Sequence, residues 1–261
     1  MSYTTLTCKC DAGLAVIRLN RPEVRNAFNE VSIAELIDVF RTMGAQAEIR
    51  AIVLAANGPA FCAGGDLNWM RKMAAFTQDE NLVDAGQLAK MLHTIYTCPQ
   101  PVIARIQGDC YAGGVGLAAA CDIAVAATSA NFCLSEVKIG LIPATIAPYV
   151  IRAIGEQAAR RYFVTAERFA AQEAHRIGLV HAVAPADLLD ATVDEIARAL
   201  LTAGPQAVRE AKRLVREVAG VRLTEGLIAD TVKRIAAIRA SDEGREGVSA
   251  FLEKRKPRWL L

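Results

Sequence analysis

One carboxylate and two loops of small residues carry the chemistry legible in this chain. Glu136 ends the stretch Asn131-Phe132-Cys133-Leu134-Ser135-Glu136, where apolar neighbours dominate. Such surroundings favour the neutral carboxyl, raise its pKa toward a working pH, and let it take up and return a proton. Upstream lie Ala63-Gly64-Gly65-Asp66 and Tyr111-Ala112-Gly113-Gly114. Glycine lacks Cβ and lets backbone N–H groups come close to a ligand. Preorganised N–H donors in a water-poor site stabilise an oxygen that gains negative charge. A proton-passing carboxylate set against such donors is what enolate chemistry requires. Some of these residues have simpler roles: Gly64 and Gly114 suit turns and packing, Asp66 suits a helix N-cap, and Cys62, Cys121 and Cys133 suit small buried positions.

Composition narrows the class. The counts of 30 basic and 28 acidic side chains in 261 residues give a net charge of +2, so no global field points to nucleic acid. Charge is concentrated locally in Lys254, Arg255, Lys256 and Arg258, a cluster suited to an anionic ligand. The 7 cysteines do not form a secreted disulfide framework, which implies a reducing, cytoplasmic setting. Cys8 and Cys10 form C-x-C, but no second Cys or His pair stands at ligand spacing and His93, His175 and His181 are scattered, so no metal is expected. Met1 to Thr7 has no leader pattern and no run reaches about 18 apolar residues, so neither targeting nor a membrane partner is expected.

The elements that must position these groups alternate. Leu14 to Leu19 reads as a strand stopped by Asn20-Arg21-Pro22, and Asn29 to Met43 as a helix capped at Asn26 or Asn29. Ala51 to Ala55, Pro101 to Gln107, Ile123 to Ala127 and Asn131 to Glu136 read as strands. Helices are expected near Leu67 to Met73, over Asp79 to Tyr96, and over Gly113 to Ala120. Strand–helix–strand order implies an α/β fold with a parallel sheet. From Ile146 onward helices dominate, over Ile146 to Ala153, Glu156 to Val164, Ala171 to Ile177, Leu188 to Ala203, Pro205 to Val218, Leu223 to Ile238 and Glu243 to Lys254, with one small strand at Leu179 to Ala184. The chain therefore divides into a core over residues 1–190 and a continuous helical C-terminal region over 191–261.

Five motifs in order resemble the crotonase family, the enoyl-CoA hydratases and isomerases. They are Leu19-Asn20-Arg21-Pro22 with Asn26-Ala27; Phe61-Cys62-Ala63-Gly64-Gly65-Asp66-Leu67; Gly108 with Gly113-Gly114; Cys121-Asp122-Ile123; and Glu136 followed by Gly140-Leu141-Ile142-Pro143. The tail Glu243-Gly244 and Phe251-Leu252-Glu253-Lys254-Arg255 is similar to that family's last helix. The resemblance implies a spiral of ββα units with a C-terminal trimerisation region, assembling as a homotrimer or as a hexamer of two trimers. It implies an acyl-CoA substrate, with coenzyme A part of the substrate and no separate cofactor. Gly65 and Gly113 would hold the thioester enolate oxygen and Glu136 would be the acid/base. Val24, Arg25, Ala63, Asp66, Leu67 and Asn68 would contact the coenzyme A, with Phe251 stacking and Lys254 reaching the phosphates from a neighbouring subunit.

One departure bears on the reaction. Family hydratases carry a second glutamate where this chain has Gly116, 5 residues before Cys121. A lone glutamate could hydrate a 2-enoyl-CoA in a concerted step, or shuttle a proton in a Δ3,Δ2-enoyl-CoA isomerisation. The wording around Gly113 to Leu117, Asn68 to Met70 and Phe132 to Val137 most resembles the methylglutaconyl-CoA hydratases of leucine breakdown and the related isohexenylglutaconyl-CoA hydratases, which puts hydration first. A distal carboxylate on such a substrate would need a cation, for which Arg71 or Lys72 is suited. A non-catalytic CoA-binding or RNA-binding protein is the alternative from another class, although no aromatic platform interleaves the basic tail.

Overall fold

The computed structural model describes residues 3–260. Strands β1 (Leu6–Asp11) and β2 (Leu14–Leu19) form a hairpin. Ala12 and Gly13 both adopt positive φ, 44° and 83°, as a two-residue hairpin turn demands. After β2 come α1 (Glu30–Ala45) and β3 (Ala51–Ala56), which runs parallel to β2. The Asn29 side chain accepts from Ser32 N–H and caps α1, and Ile33, Leu36, Ile37 and Phe40 supply its buried face.

The same unit recurs. After β3 come β4 (Ala60–Cys62), α2 (Leu67–Met73) and α3 (Gln78–Tyr96); then β5 (Val102–Ile106), β6 (Asp109–Tyr111) and α4 (Gly113–Ala120); then β7 (Ile123–Ala127), β8 (Asn131–Cys133) and α5 (Ala147–Thr165). Longer strands go to one sheet and shorter ones to another. The 6-stranded sheet has the order β1-β2-β3-β5-β7-β10, parallel apart from β1, with β10 (Ala182–Ala184) at its edge. The 4-stranded sheet has the order β4-β6-β8-β9, parallel except for the pairing of β8 with β9 (Phe169–Ala170), which leads into α6 (Ala171–Arg176).

The expected α/β spiral of ββα units is therefore present, with three corrections. Periodicity does not register β1, β4, β6 or β9, the last three of which span only 2 or 3 residues and are held by distant partners. The strand expected over Asn131 to Glu136 stops at Cys133, and Glu136 opens a 3-10 turn over Glu136–Ile139, closed by Gly140 at φ 75°. The two helices expected between Ile146 and Val164 run together as α5, kinked at Gly155 where φ is 74° and ψ 165°.

The helical third comprises α7 (Leu189–Thr202), α8 (Pro205–Val218), α9 (Glu225–Ala240) and α10 (Asp242–Leu252). Leu189, Val193 and Ala197 of α7 pack against Val53, Ala55, Ile103 and Val125 on one face of the large sheet. The other face, with Ile52 and Leu54, packs in a second cluster with residues of α1 and α3. Helix α7 thus belongs to the core, and the part that stands away from it begins at α8. Lys212 of α8 donates to Gln100 O at 2.9 Å and Asp122 Oδ2 at 2.6 Å, while Arg50 donates to Trp259 O at 3.1 Å. These ties fasten the tail to the amino-terminal ends of β3, β5 and β7. Among the described residues no helix is long and apolar enough to cross a membrane.

Candidate active site

The expected catalytic groups follow the carboxyl ends of three adjacent parallel strands. Gly65 comes after β4, Gly113 after β6, and Glu136 after β8. Cys62 is in register with Cys110, and Tyr111 with Cys133, so all three emerge on the same edge of the sheet. Neighbouring strands lie about 4.8 Å apart, which makes this edge a compact place to gather groups far apart in sequence.

Phe28 holds the two glycine loops together. Its N–H donates to Gly64 O at 2.9 Å and its C=O accepts from Asp66 N–H at 3.0 Å, a parallel bridge facing Gly65. Backbone groups alternate sides in such a ladder, so the Gly65 N–H is directed away from Phe28. The Phe28 ring lies under the second loop: a Cβ on Gly113 would stand 2.3 Å from its Cζ. At Gly64, φ is +93° and a Cβ would fall 2.9 Å from Ala112 Cβ and 3.6 Å from Gly113 N. The two loops are thus in contact. Gly113 is the first residue of α4, so its N–H has no acceptor within the helix. Before it stands Ala112 at φ 47° and ψ −120°, a conformation an L-residue adopts only when the surroundings impose it. Gly114 packs on backbone, where a Cβ would meet Cys62 O at 2.5 Å. Phe28 is the residue that sequence reasoning missed; its role rests on tertiary contact, and only its place directly after Asn26-Ala27 hinted at it.

Glu136 is half-buried, and among the described residues its Oε2 is buried without a hydrogen-bond partner. Burial pushes its pKa above the usual value, against the smaller lowering effect of its own backbone N–H. The carboxyl is therefore held toward the neutral form, as proton transfer near neutral pH requires. The space above Gly116 belongs to Ile146, whose Cγ2 would lie 2.2 Å from a Cβ there. Ile146 itself is 2% exposed. No side chain fits at 116 without moving it, so Glu136 has no acidic neighbour from that position.

The expected coenzyme A contacts divide into two groups. The Val24–Arg25 turn is tied to the first glycine loop, because Ala63 N–H donates to Arg25 O at 3.0 Å. Leu67 and Asn68 are exposed at the start of α2, next to that loop. The Asp66 side chain takes the role of helix N-cap. Its Oδ1 caps α2 by accepting from Asn68 and Trp69 N–H, and its Oδ2 accepts from Arg21 at 2.8 Å. Burial alone would raise its pKa, but Arg21 and the two N–H groups outweigh it and the net shift is downward. Asp66 is a fixed anion that holds the loop. Phe251, 83% exposed, and Lys254, also exposed, lie on α10 and the turn after it. Of the two candidate cations, Lys72 is ion-paired with Glu30 and Arg71 donates to the neutral Asn68 amide at 2.7 Å.

Away from this edge, a groove of ≈ 550 Å³ runs between α8 and α9, lined by Ala207, Ala211, Leu214, Ile235 and Ile238 among others. Among the described residues there is no group of three or more His, Cys, Asp or Glu arranged to hold a metal ion.

Known proteins with this arrangement are numerous. The sequence matches the enoyl-CoA hydratase/isomerase family over residues 9–260. It is 34% identical to the enoyl-CoA isomerase/hydratase fer4 of Mycosarcoma maydis over 255 residues, covering 94% of this chain and 92% of that one. The crystal structure of an enoyl-CoA hydratase from Shewanella pealeana superposes with a TM-score of 0.95 at 43% identity, covering 98% of this chain and 96% of the other. Pseudomonas aeruginosa AtuE gives a TM-score of 0.95 at 36% identity, over 99% and 100% of the two chains. With a family match over nearly the whole chain, relatives above 30% identity and the fold in common, the chain belongs to the enoyl-CoA hydratase/isomerase, or crotonase, family.

Proposed function

We propose that this protein hydrates the double bond of a 2-enoyl-CoA, with a branched 3-methylglutaconyl-CoA-like thioester as substrate and Glu136 as the single acid/base. The observation that carries this reading is the buried, unpartnered Glu136 Oε2 beside the Gly65 and Gly113 loops. The carboxylate removes a proton from water as the water oxygen bonds to C3. The electron pair of the C2–C3 double bond moves toward the thioester, whose oxygen takes enolate charge between the Gly65 and Gly113 N–H groups. Glu136, now protonated, returns the proton to C2 as the carbonyl re-forms. Each such donor contributes roughly 10²–10³ in rate in enzymes where one has been removed. Coenzyme A arrives with the substrate, and no separate cofactor is needed.

Val24, Arg25, Ala63, Leu67 and Asn68 form the rim for the coenzyme A. Phe251 and Lys254 serve the site of a neighbouring subunit in a homotrimer or hexamer, which agrees with their exposure. The assembly works in the cytoplasm. Arg71, free of an acidic partner among the described residues, recognises the distal carboxylate; Arg71→Ala should raise KM for a glutaconyl thioester and leave kcat unchanged.

A second reading, Δ3,Δ2-enoyl-CoA isomerisation, is favoured by one observation: Ile146 fills the position over Gly116, leaving one carboxylate. Incubation with a panel of enoyl-CoAs in deuterated water, read by mass spectrometry, separates the readings. Hydration adds the mass of water and supports the proposal. Deuterium without water means isomerisation, and no change in any substrate means a binding protein.

A further inference from the structure

At the edge of the large sheet, remote in sequence from Gly65, Gly113 and Glu136, two cysteines share one strand face and one of them meets a methionine. Cys8 and Cys10 are two apart on β1, so their side chains leave the strand on one face. That face also carries Leu6, which is buried, and it lies over α1. Cys10 Sγ lies 3.6 Å from Sδ of Met43, a residue near the end of α1 that is itself 7% exposed. Both cysteines are solvent-exposed, unlike the buried Cys62, Cys98, Cys110 and Cys133. Cys8 and Cys10 are therefore not small hydrophobes filling a core, and the proposed reaction leaves all three sulfurs without a task.

We propose that Cys8, Cys10 and Met43 form a binding site for one soft monovalent cation of the Cu(I) class. Three sulfurs around a cation at about 2.3 Å in a trigonal plane stand about 4 Å apart, close to the Cys10–Met43 separation. Thiolate and thioether ligands together select Cu(I) over the harder divalent ions. Position on an edge strand gives an entry path, and the thioether, held against the core, pre-sets one ligand. Searching the sequence for pairs of Cys or His passes over this site because its third ligand is a methionine on another element.

Other chemistry is less well served here. A disulfide between Cys8 and Cys10 would have to draw together Cα atoms about 6.8 Å apart in an extended strand, at the outer limit for such a bond. Burial, and then the neighbouring Cys10, push the Cys8 thiol up to about 11, so it is protonated and a weak nucleophile at neutral pH. A bound cation changes that balance by displacing both protons: Cu⁺ and two thiols give a bis-thiolate, thioether-ligated complex of net charge −1 and two H⁺. Tyr3, whose hydroxyl donates to Asp38 Oδ2 at 2.8 Å, is a further titratable side chain near Cys8.

The test uses the whole protein under anaerobic, reducing conditions, with Cu(I) supplied as its complex with a chromogenic bidentate chelator. One equivalent should be withheld from the chelator by the unaltered protein. Cys8→Ser/Cys10→Ser should lose at least about 100-fold in affinity, given that even outer groups around a metal cost 10–100-fold. Met43→Leu, which conserves volume, should weaken binding by about tenfold while thermal unfolding stays close to the parent's. X-ray absorption of the loaded protein should give three sulfur neighbours at about 2.3 Å. Equal retention by the parent and the double cysteine variant would overturn the proposal, as would two sulfur neighbours in a linear arrangement.

Discussion

Glu136 is costly to keep. Its carboxyl is buried beside unpaired space, and its pKa lies above the usual 4.5 because burial penalises the charged form. For a carboxyl raised on folding, the stabilising neutral form is fully present below the unfolded pKa, and that stability is lost as pH rises through the folded pKa. Glu136→Gln should therefore abolish turnover and yet raise the thermal midpoint at neutral pH, with the gain vanishing below about pH 4. Equal midpoints for the two proteins from pH 4 to 8 would show that the carboxyl is not desolvated as described. Gly116 is decided at this scale too. Because a Cβ there would meet Ile146 Cγ2 at 2.2 Å, Gly116→Glu should destabilise by about 1–3 kcal/mol, the usual range for overpacking, read from urea unfolding. Combining it with Ile146→Gly should recover part of that loss; no recovery would mean that Ile146 is not what fills the site.

At the scale of elements, the site depends on how short pieces are pinned. Strands β4, β6 and β8 have 3 residues each, too few to hold a catalytic edge alone. Two devices compensate. Phe28 joins the loop after β4 to the start of α4, and the Arg21–Asp66 pair, with side-chain exposures of 19% and 6%, locks the first loop to the start of α2. Arg21 also donates to Ala27 O at 2.7 Å, next to Phe28, so the two devices are linked. Asp66→Ala removes the cap, worth about 1 kcal/mol, and strands Arg21. A fully buried charge left unpaired costs about 3–5 kcal/mol, and the residual exposure of Arg21 reduces that here. The thermal midpoint should fall and kcat should fall more than KM rises, because the Gly65 donor loosens. A variant stable within error would remove the pair from this role.

The whole molecule has two sheets: the large one is covered on both faces, while the small one carries the proposed catalytic groups after its carboxyl edge. The helical tail is fastened to the other structure by Lys212, Arg209 and Arg50, and it exposes apolar side chains on two helices. Ile228, Val232 and Ile235 of α9 are 50%, 58% and 48% exposed, and Val248, Phe251 and Leu252 of α10 are 58%, 83% and 72%. A patch of this kind on a folded chain marks an interaction surface. Val232→Glu/Ile235→Glu should therefore lower the sedimenting mass to that of one chain, and turnover should drop with it if Lys254 serves a neighbour's site. Unchanged mass would take α9 out of the interface.

Motif spacing by itself determined the family resemblance and the α/β alternation, and it singled out Gly65, Gly113 and Glu136 as candidates, because glycine at close-approach positions and a carboxylate in apolar company are local properties. It also placed the long helices: Asn29 caps α1, Pro205 opens α8, and apolar periods run far enough to register. Tertiary structure alone decided the rest. Periods cannot be read in strands of 2 or 3 residues, so β4, β6 and β9 of the second sheet were invisible until their partners were adjacent. Asp66 reads as a helix cap from its place before α2, but that its second carboxylate oxygen is held by Arg21, 45 positions away, only the fold shows. The absence at Gly116 was legible as a missing acid, but that Ile146 occupies the space follows from how α5 packs on α4. The sequence sets which groups exist and what each can do locally; which of them meet depends on contacts between segments far apart in the chain, where close packing leaves one arrangement.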